Sequence, residues 1–175
     1  MITLEPIPID DLVVLSKSCL PTRLAGCTLD GALPPAIVAT RALQQISGGK
    51  SAAWCNNFYI RDADGAVIGG CGFKDEPCSG RVEIGYSVAP ERRNRGVATS
   101  AIEILARLAF KSAEVYEVLA KVNVLNGPST RVVQKLGFTK VGTEVNGGNE
   151  VLVQWILRAD PAEQNHLRKA IVGAE

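Results

Sequence analysis

The sequence predicts an α/β fold, a mixed sheet of about seven strands flanked by helices. Two local periods carry this prediction, because apolar residues alternate in some segments, as in strands, and recur every three to four residues in others, as in helices. Some predicted strands are joined by short turns and others by helical crossovers, which requires antiparallel and parallel pairs in one sheet. With 175 residues, 46% of them hydrophobic, the chain is long enough for one packed domain, residues 1–175.

The first fifty residues contain one predicted strand and two predicted helices. Residues 2–7 alternate in character and predict an edge strand. A short helix over residues 10–19 follows, and Asp10 or Asp11 is well placed to cap its start. A second helix over residues 36–46 begins after two prolines and ends at two glycines. Its side chains predicted to face the core are Ile37, Leu43 and Ile46.

The middle of the chain contains three predicted strands and one predicted helix. Residues 53–61 and 67–73 form a predicted hairpin, because the Asp-Gly pair between them suits a tight turn. Residues 82–88 alternate and end before Pro90, which cannot donate a hydrogen bond to a sheet. From Val97 onward the apolar residues fall at helical spacing and make one apolar stripe.

The remainder of the chain predicts a strand, a helix and a final hairpin. Residues 116–125 predict the strand, and residues 128–136 predict a helix for which Gly137 is a suitable C-terminal cap. Residues 140–145 and 151–157 predict the hairpin, and its second strand is so apolar that both faces are expected to be covered. The tail after this hairpin predicts a short amphipathic helix or a partly disordered segment.

The composition excludes several classes of function. A net charge of +1 gives no general attraction to nucleic acid or to an anionic membrane. No apolar run approaches the roughly 20 residues of a membrane span, and no signal peptide is predicted, so the predicted location is the cytoplasm. The five cysteines form no Cys-x-x-Cys pair and the chain has one histidine, so no metal site is predicted.

A phosphate-binding loop is predicted between the strand at 82–88 and the helix from Val97. The first turn of a helix has unpaired N–H groups and the positive end of the helix dipole, and Arg92, Arg93 and Arg95 add positive charge there. Such a place binds an anionic phosphate group. The loop has neither the Gly-x-x-x-x-Gly-Lys-Ser/Thr pattern of a nucleotide P-loop nor the Gly-x-Gly-x-x-Gly pattern of a dinucleotide site.

Two segments of the sequence carry a family resemblance. Residues 93–98, Arg-Asn-Arg-Gly-Val-Ala, resemble the Arg/Gln-x-x-Gly-x-Gly/Ala signature of the GCN5-related N-acetyltransferase (GNAT) family. Residues 122–142, with Asn126 at the end of a strand and a helix that closes on Gly-Phe, resemble the second signature of that family. The Glu-Ile-Gly-Tyr run from Glu83 and the Asn-x-x-Ser run from Asn126 are similar to the RimJ/RimL-like branch. The resemblance covers residues 58–157.

The resemblance implies acetyl-CoA as co-substrate, and a sheet that parts between its fourth and fifth strands. The first signature is the segment that holds the pyrophosphate in this family, which implies cofactor binding by Arg93, Asn94, Arg95, Gly96, Val97, Ala98 and Thr99. Where the strands part, the main chain of Val88, with Ser87 next to it, is expected to bind the pantetheine arm. Asn126 either bonds the same arm, which the family pattern favours, or only turns the chain.

Acetyl transfer to an amine requires a base for the amine, a stabilised carbonyl oxygen and a proton for the leaving thiolate. Glu83 is the candidate base, directly or through water, and the alternative is a structural ion pair with Arg81 or with a neighbouring strand. Many family members have a tyrosine for the thiolate at the position of Val133. Ser129 is the candidate substitute, and the alternative is that its hydroxyl caps a helix. A backbone N–H near Val88 is expected to hold the carbonyl oxygen.

The acceptor side of the fold is expected to be covered by residues 1–50, while residues 58–157 carry the motifs and residues 160–175 form the tail. The candidate substrate-binding residues lie on the predicted second strand, with packing as the favoured alternative, and are Trp54, Asn57 and Tyr59. The predicted acceptor is a protein N-terminus or a small amine, attacked directly in a ternary complex. Aminoglycosides and aminoacyl-tRNA remain open as acceptors.

Two other functions are weighed against the acetyltransferase. A non-catalytic coenzyme-A-binding sensor or partner subunit is the alternative, supported by the missing tyrosine. A nucleotide-binding protein is disfavoured, because a phosphate-binding lysine and metal-binding carboxylates at motif spacing are absent. No membrane partner is predicted, and nucleic acid is expected only as an aminoacyl-tRNA acceptor. A homodimer through the final strand and tail is an expectation by analogy with relatives.

Overall fold

A computed structural model describes residues 1–160 of the chain. Within this range the strands are β1 (Thr3–Pro6), β2 (Asn57–Arg61), β3 (Val67–Phe73), β4 (Arg81–Val88), β5 (Glu117–Asn123), β6 (Thr139–Val145) and β7 (Val151–Arg158). The α-helices are α1 (Ile9–Leu15), α2 (Ala36–Ser47), α3 (Ala52–Cys55), α4 (Val97–Phe110) and α5 (Gly127–Lys135). Short 3-10 helices cover Thr22–Leu24 and Pro90–Arg92. The helix predicted for the tail falls on residues outside the described part.

The strands form a seven-stranded mixed sheet in the order β1-β2-β3-β4-β5-β7-β6, which confirms the predicted fold class. β4 and β5 are parallel, whereas β1 with β2, β2 with β3, β5 with β7 and β6 with β7 are antiparallel. The parallel pairing runs from Arg81↔Glu117 to Ile84↔Ala120. Both strands continue beyond the last of these pairs, as expected where the fourth and fifth strands part.

The chain divides into two compact units. The first unit comprises Met1–Glu76 and Gly85–Ile104, and the second comprises Pro77–Ile84 and the chain from Leu105 onward. The first unit contains the elements from β1 to β3, the second half of β4 and the start of α4. The second unit contains the first half of β4, the rest of α4 and the elements from β5 to β7. The single-domain organisation stays a prediction.

The core of the first unit lies among α1, α2, β2 and β3. Every residue of β3 is buried, and β3 has the bounds that the sequence predicts. The apolar residues packed together around it include Ile7, Leu12, Leu24, Tyr59 and Val67. β1 lies at the edge of the sheet, as predicted.

Three details of the first unit correct the sequence prediction. The inner face of α2 is formed by Ala39 and Ala42, with Leu43 and Ile46 half-buried. Ile37 is 73% exposed, because it lies two positions before Ala39 and two helical steps rotate its side chain by about 200° around the helix axis. No side chain caps α1, whose N-cap residue is Pro8, so the expected carboxylate cap is wrong.

Residues 53–55 belong to the helix α3 and not to the second strand. The N–H groups of Trp54 and Cys55 both donate to the carbonyl of Ser51, at 3.1 Å, and so close one helical turn. Asn56 then ends the turn, because its side-chain oxygen accepts the N–H of Asn57 at 2.7 Å and its amide donates to the carbonyl of Ile7 at 2.8 Å. The second strand therefore begins at Asn57.

A polar network in the first unit joins the N-terminal segment to β2. The Asp11 carboxylate, whose side chain is 8% exposed, accepts from the Tyr59 hydroxyl at 2.9 Å and pairs with Arg23 at 2.6 Å. Arg23 also pairs with Glu5 at 3.1 Å, and Glu5 with Arg61. Burial raises the pKa of Tyr59, and the hydrogen bond to Asp11 adds to this shift. A buried carboxylate with two partners is satisfied, so the network fixes these elements.

Replacing Tyr59 by phenylalanine is expected to lower the free energy of unfolding by about 1.5 kcal/mol, because one hydrogen bond to a charged acceptor is lost without a cavity. Urea unfolding followed by circular dichroism measures the change. Tyr116→Phe is the matched control: Tyr116 is 45% exposed and its hydroxyl donates to the Ser79 carbonyl at 2.7 Å. That variant should lose no more than about 0.5 kcal/mol, and equal losses in the two variants would contradict the argument.

The second unit contains an antiparallel arrangement in which β7 lies between β5 and β6. Its interior side chains include Val118, Val122, Val133, Phe138 and Ile156. α5 ends where predicted: Gly137 has φ +80°, and the Phe138 N–H donates to the Val133 carbonyl at 3.0 Å, as in a C-terminal cap.

β7 is covered on both faces only in its middle, where Val153, Trp155 and Ile156 are buried. Val151, at the start of the strand, is 41% exposed, so the expected cover does not extend over the whole strand. None of the helices within residues 1–160 has the length and apolar character that crossing a bilayer requires.

Candidate active site

The predicted phosphate-binding loop connects the end of β4 to the start of α4 in the first unit. Two of its residues have left-handed backbone conformations, Asn94 at φ +59° and Gly96 at φ +77°. Asparagine and glycine are the residue types that adopt this conformation most readily. A Cβ on Gly96 would meet no atom within 4 Å, so the backbone angle, rather than a neighbouring side chain, is what requires glycine here.

The loop and the first turn of α4 carry six consecutive backbone donors, the N–H groups of Asn94 to Thr99. Among the described residues, none of the six makes a hydrogen bond of normal geometry to a backbone carbonyl. The first such bond of the helix is donated by Ser100, to the Gly96 carbonyl at 3.0 Å. A run of unpaired N–H groups with left-handed turns forms an anion-binding concavity at the positive end of a helix.

The three arginines of this loop have different surroundings. Arg92 pairs with Asp62 at 2.8 Å, and the other oxygen of Asp62 accepts the N–H groups of Asp64 and Ala66 in the turn between β2 and β3. Arg93 donates from Nε to the Val88 carbonyl at 3.1 Å, while the residue as a whole is exposed. Arg95 is exposed. Arg93 and Arg95 therefore present guanidinium charge to solvent near the loop, whereas Arg92 has a structural partner.

The end of β4 is held close to β3. Ser87 is exposed and Val88 is 8% exposed, and the Ala89 N–H donates to the Ile68 carbonyl at 2.9 Å. A Cβ on Gly69 would lie 2.4 Å from the Ser87 carbonyl oxygen and 3.2 Å from the Val88 Cα. Glycine at position 69 is thus the condition for this close approach of the two backbones.

Glu83 lies in the second unit, half-buried, with its side chain 23% exposed. Its partner is Lys121 on β5, 3.5 Å from Nζ to Oε2. Arg81, the partner that the sequence offered, pairs with Glu117 at 2.6 Å. Two roles were considered for Glu83, a catalytic base and a structural ion pair. The structure shows the contact that the second role requires, an ion pair with a neighbouring strand.

Asn126 and Ser129 meet at the start of α5. Asn126 is the N-cap residue of this helix, and its side-chain oxygen accepts the Ser129 N–H at 3.0 Å. The cap is therefore provided by Asn126, and not by the Ser129 hydroxyl as the alternative reading had it. Val133 is fully buried, so the position of the usual tyrosine belongs here to the core.

The three candidate acceptor-side residues have unequal exposure. Tyr59 is fully buried and Asn57 is 6% exposed, and the Asn57 carbonyl accepts the Ile7 N–H at 2.9 Å. Trp54 is half-buried on α3, and its ring centroid lies 4.9 Å from that of Phe73. The burial of Tyr59 and Asn57 favours a packing role for both. Trp54 is only half-buried, so part of its side chain is accessible to a substrate.

Sequence reasoning missed the residues that surround Glu83. Lys121 also pairs with Glu144 on β6, 2.8 Å from Nζ to Oε1, and Gln154 on β7 donates to the other oxygen of Glu144. The carboxylates raise the pKa of Lys121, Glu144 more than Glu83. The sequence signal that could have indicated this group is Lys121, a charged residue within the otherwise apolar middle of β5. Within residues 1–160 no cluster of three or more potential metal ligands is present.

Comparison with known proteins gives the same family as the two motifs. The acetyltransferase (GNAT) domain family matches residues 3–139. An uncharacterized N-acetyltransferase, p20, of Bacillus licheniformis is 37% identical over 88 residues, 49% of this chain and 48% of that protein. The match thus spans about half the length of this curated relative.

Solved structures of low sequence identity share the fold. The ribosomal-protein-S5-alanine acetyltransferase of Vibrio fischeri superposes with a TM-score of 0.65 at 16% identity, covering 91% of this chain and 94% of that one. RimJ of Mycobacterium smegmatis, in complex with CoA-disulfide, superposes with a TM-score of 0.65 at 19% identity, covering 97% and 88%. Because the family match extends over most of the chain and the seven-stranded mixed sheet is of the expected fold class, the chain belongs to the GNAT acetyltransferase family.

Proposed function

We propose that this protein transfers an acetyl group from acetyl-CoA to a primary amine by direct attack in a ternary complex. The observation that carries the proposal is the run of six unpaired N–H groups from Asn94 to Thr99, next to the exposed Arg93 and Arg95. Membership of the GNAT family supports acetyl-CoA as the anion bound there. The pyrophosphate would accept from these N–H groups, and the two guanidinium groups would balance its charge.

The pantetheine arm is proposed to bind along the end of β4, at the main chain of Val88 and at Ser87. The Val88 carbonyl already accepts from Arg93 at 3.1 Å, so one of its two lone pairs is left for an amide N–H of the arm. Asn126 would add a hydrogen bond from its amide nitrogen, since its oxygen is used by the Ser129 N–H.

The chemistry of the proposal is assigned to Glu83 and Ser129. Acetyl-CoA supplies an acetyl group activated as a thioester. The acceptor nitrogen forms a bond to the carbonyl carbon, the carbon–sulfur bond breaks, and the proton lost by the amine passes to the Glu83 carboxylate, directly or through water. The half-buried Ser129 hydroxyl is proposed to donate a hydrogen bond to the leaving sulfur, and the backbone near Val88 to hold the carbonyl oxygen.

The proposed acceptor is a protein N-terminus or a small amine. Proteins of the same fold include a ribosomal-protein-S5-alanine acetyltransferase and a spermidine N-acetyltransferase of Vibrio cholerae, whose names give a protein and a small amine as acceptors. Trp54 is the acceptor-side residue with surface available for such a contact. A single domain over residues 1–175, a cytoplasmic location and a homodimer complete the proposal.

The first test is calorimetric titration of the purified protein with acetyl-CoA, with ATP as the control anion. Saturable one-to-one binding of acetyl-CoA with much weaker binding of ATP is the expected result. An acceptor screen follows, in which an alanine-initiated peptide, spermidine and an aminoglycoside are incubated with acetyl-CoA and thiol release is measured. Absence of acetyl-CoA binding at millimolar concentration would overturn the proposal.

A non-catalytic coenzyme-A-binding protein is the second candidate. The observation that favours it is the residue at the position of the usual tyrosine, which here is Val133, fully buried and without a proton to donate. Such a protein would bind acetyl-CoA in the titration and release no thiol with any amine, whereas an enzyme would do both.

Replacing Val97 by proline is expected to weaken acetyl-CoA binding about 10- to 100-fold, because it removes one N–H donor to a charged phosphate. Val97 is the first residue of α4, a position where proline is compatible with the helix. Val97→Ala is the matched control, since it shortens the side chain and keeps the donor. Calorimetry on both variants checks the prediction, and equal affinities would show that the Val97 N–H is not used.

A further inference from the structure

Four side chains of the second unit lie on one face of the sheet, on four different strands. Glu83 of β4 is opposite Leu119 of β5, and Lys121 follows two residues after Leu119, so it points to the same face. Lys121 is directly opposite Gln154 of β7. Gln154 is in turn opposite Gly142 of β6, and Glu144 lies two residues further along β6. The register alone therefore brings Glu83, Lys121, Gln154 and Glu144 to one surface.

The contacts within this group are unequal. The Lys121 ammonium lies 2.8 Å from Glu144, a hydrogen-bonding distance, and 3.5 Å from Glu83, a looser ion pair. Gln154 donates to the second oxygen of Glu144, so the carboxylate that anchors the lysine is itself fixed. The Lys121 and Glu83 side chains are both 23% exposed, which reduces screening by solvent compared with a surface pair.

We propose that Lys121 is a positioning residue for Glu83, and that Glu144 and Gln154 set how much of its positive charge Glu83 receives. This inference rests on the proposed function, in which Glu83 takes the proton of the acceptor amine. A base must be ionised before the reaction, and a nearby cation favours the ionised carboxylate. A cation held too closely would also weaken the carboxylate as a proton acceptor. Glu144 binds the ammonium at the shorter distance, 2.8 Å against 3.5 Å, and so limits how much of its positive charge reaches Glu83.

Two variants separate this role from a structural one, because they are expected to act in opposite directions. Lys121→Met removes the cation from between two carboxylates, so Glu83 should take up a proton at higher pH. Glu144→Gln removes the competing carboxylate, so the ammonium should move towards Glu83, which should then be protonated only at lower pH. Each change is expected to be about one pH unit, the lower end of the range for a neighbouring charge.

The measurement is the carboxyl carbon resonance of Glu83, followed by nuclear magnetic resonance as a function of pH in the unliganded protein. Lys121→Arg keeps the charge and should restore the wild-type midpoint. Lys140→Met is the matched control, because Lys140 lies opposite Trp155 and so on the other face. Arg81 and Lys74 are further cations near this face of β4, and both are unchanged in every variant. Arg81 lies two residues before Glu83, on the same face, and pairs with Glu117 at 2.6 Å, while the Cε of Lys74 is 3.5 Å from the place of a Cβ on Gly85.

The same variants are assayed for kcat/KM against pH, with acetyl-CoA and the acceptor found in the screen. We expect the acidic limb of the profile to move with the midpoint, to higher pH for Lys121→Met and to lower pH for Glu144→Gln. Midpoints that do not move, or that move in the same direction, would overturn the role of Lys121. The role of Lys121 would also be overturned if the midpoint of the Glu83 resonance moved while the acidic limb of the kcat/KM profile stayed in place. Opposite midpoint shifts in a protein that transfers no acetyl group would support the electrostatic arrangement and overturn only the acetyltransferase proposal.

Discussion

Replacing Glu83 by glutamine is expected to lower kcat by about 100-fold or more, while the affinity for acetyl-CoA stays within about twofold of the wild-type value. General-base catalysis contributes roughly 10²–10⁴-fold in enzymes. Glutamine keeps the size of glutamate and one acceptor oxygen but has no site for the proton. Affinity should be retained because the proposed pyrophosphate donors are backbone N–H groups of another segment, Asn94 to Thr99. Steady-state kinetics with the acceptor from the screen, together with calorimetric titration, measure the two quantities.

The control for this variant is Glu91→Gln, which removes an exposed carboxylate from the 3-10 turn after β4 and should leave both quantities unchanged. Unchanged turnover in Glu83→Gln would mean that another group, or water alone, takes the amine proton. Loss of acetyl-CoA affinity would instead mean that the substitution disturbs the fold, which circular dichroism would detect.

Replacing Gly69 by alanine is expected to lower the free energy of unfolding by about 3 kcal/mol and to weaken acetyl-CoA binding. The added Cβ would lie 2.4 Å from the Ser87 carbonyl oxygen. The backbone fixes the position of the Cβ and the oxygen belongs to the main chain, so neither atom can turn away. Overpacking of this kind costs about 1–3 kcal/mol or more. Because β4 must move to relieve the contact, Ser87 and Val88 should shift from the positions proposed to bind pantetheine. Urea unfolding and calorimetry measure the two effects.

Gly70→Ala is the matched control, since it changes the next residue of the same buried strand. Its Cβ would lie 3.5 Å from the Phe58 carbonyl oxygen and 3.8 Å from Pro34, which are ordinary van der Waals distances. Alanine is also favoured over glycine within a strand by roughly 0.5–1 kcal/mol. Gly70→Ala should therefore leave the free energy of unfolding unchanged or raise it slightly. If the two alanine variants had the same stability and affinity, the close approach of β3 and β4 would have no role in either.

The fold was predictable from the sequence wherever a segment has one clear period. β3 has the predicted bounds, and α4 begins at Val97 as its apolar spacing predicts. The errors occur where a local contact decides the conformation. The turn of α3 depends on N–H groups that bond back to Ser51, and the apolar residues of that short segment do not distinguish a helix from a strand. Ile37 was assigned to the core by residue type, whereas alanines form that helix face.

The candidate site was predictable to the extent that its residues are close in sequence. The loop from Arg93 to Thr99 is one continuous segment, so its charge and its helix start could be read directly. The surroundings of Glu83 depend on the register of four strands that are far apart in the chain, since Lys121 and Glu144 come together only because β7 lies between β5 and β6. The sequence alone does not give the register of these strands, so it does not predict that Lys121 pairs with Glu83 and Glu144.

The ion pair between Arg92 and Asp62 joins the predicted phosphate-binding loop to the turn between β2 and β3. Asp62 receives Arg92 on one oxygen and two N–H groups of its own turn on the other. Surface turns usually tolerate insertions well, because little depends on their conformation. Here a length change at Asp64 or Gly65 would move Asp62, and with it the arginine that helps to shape the loop. This turn is consequently a poor place for an affinity tag or a peptide graft, although it lies outside both signature segments, residues 93–98 and 122–142.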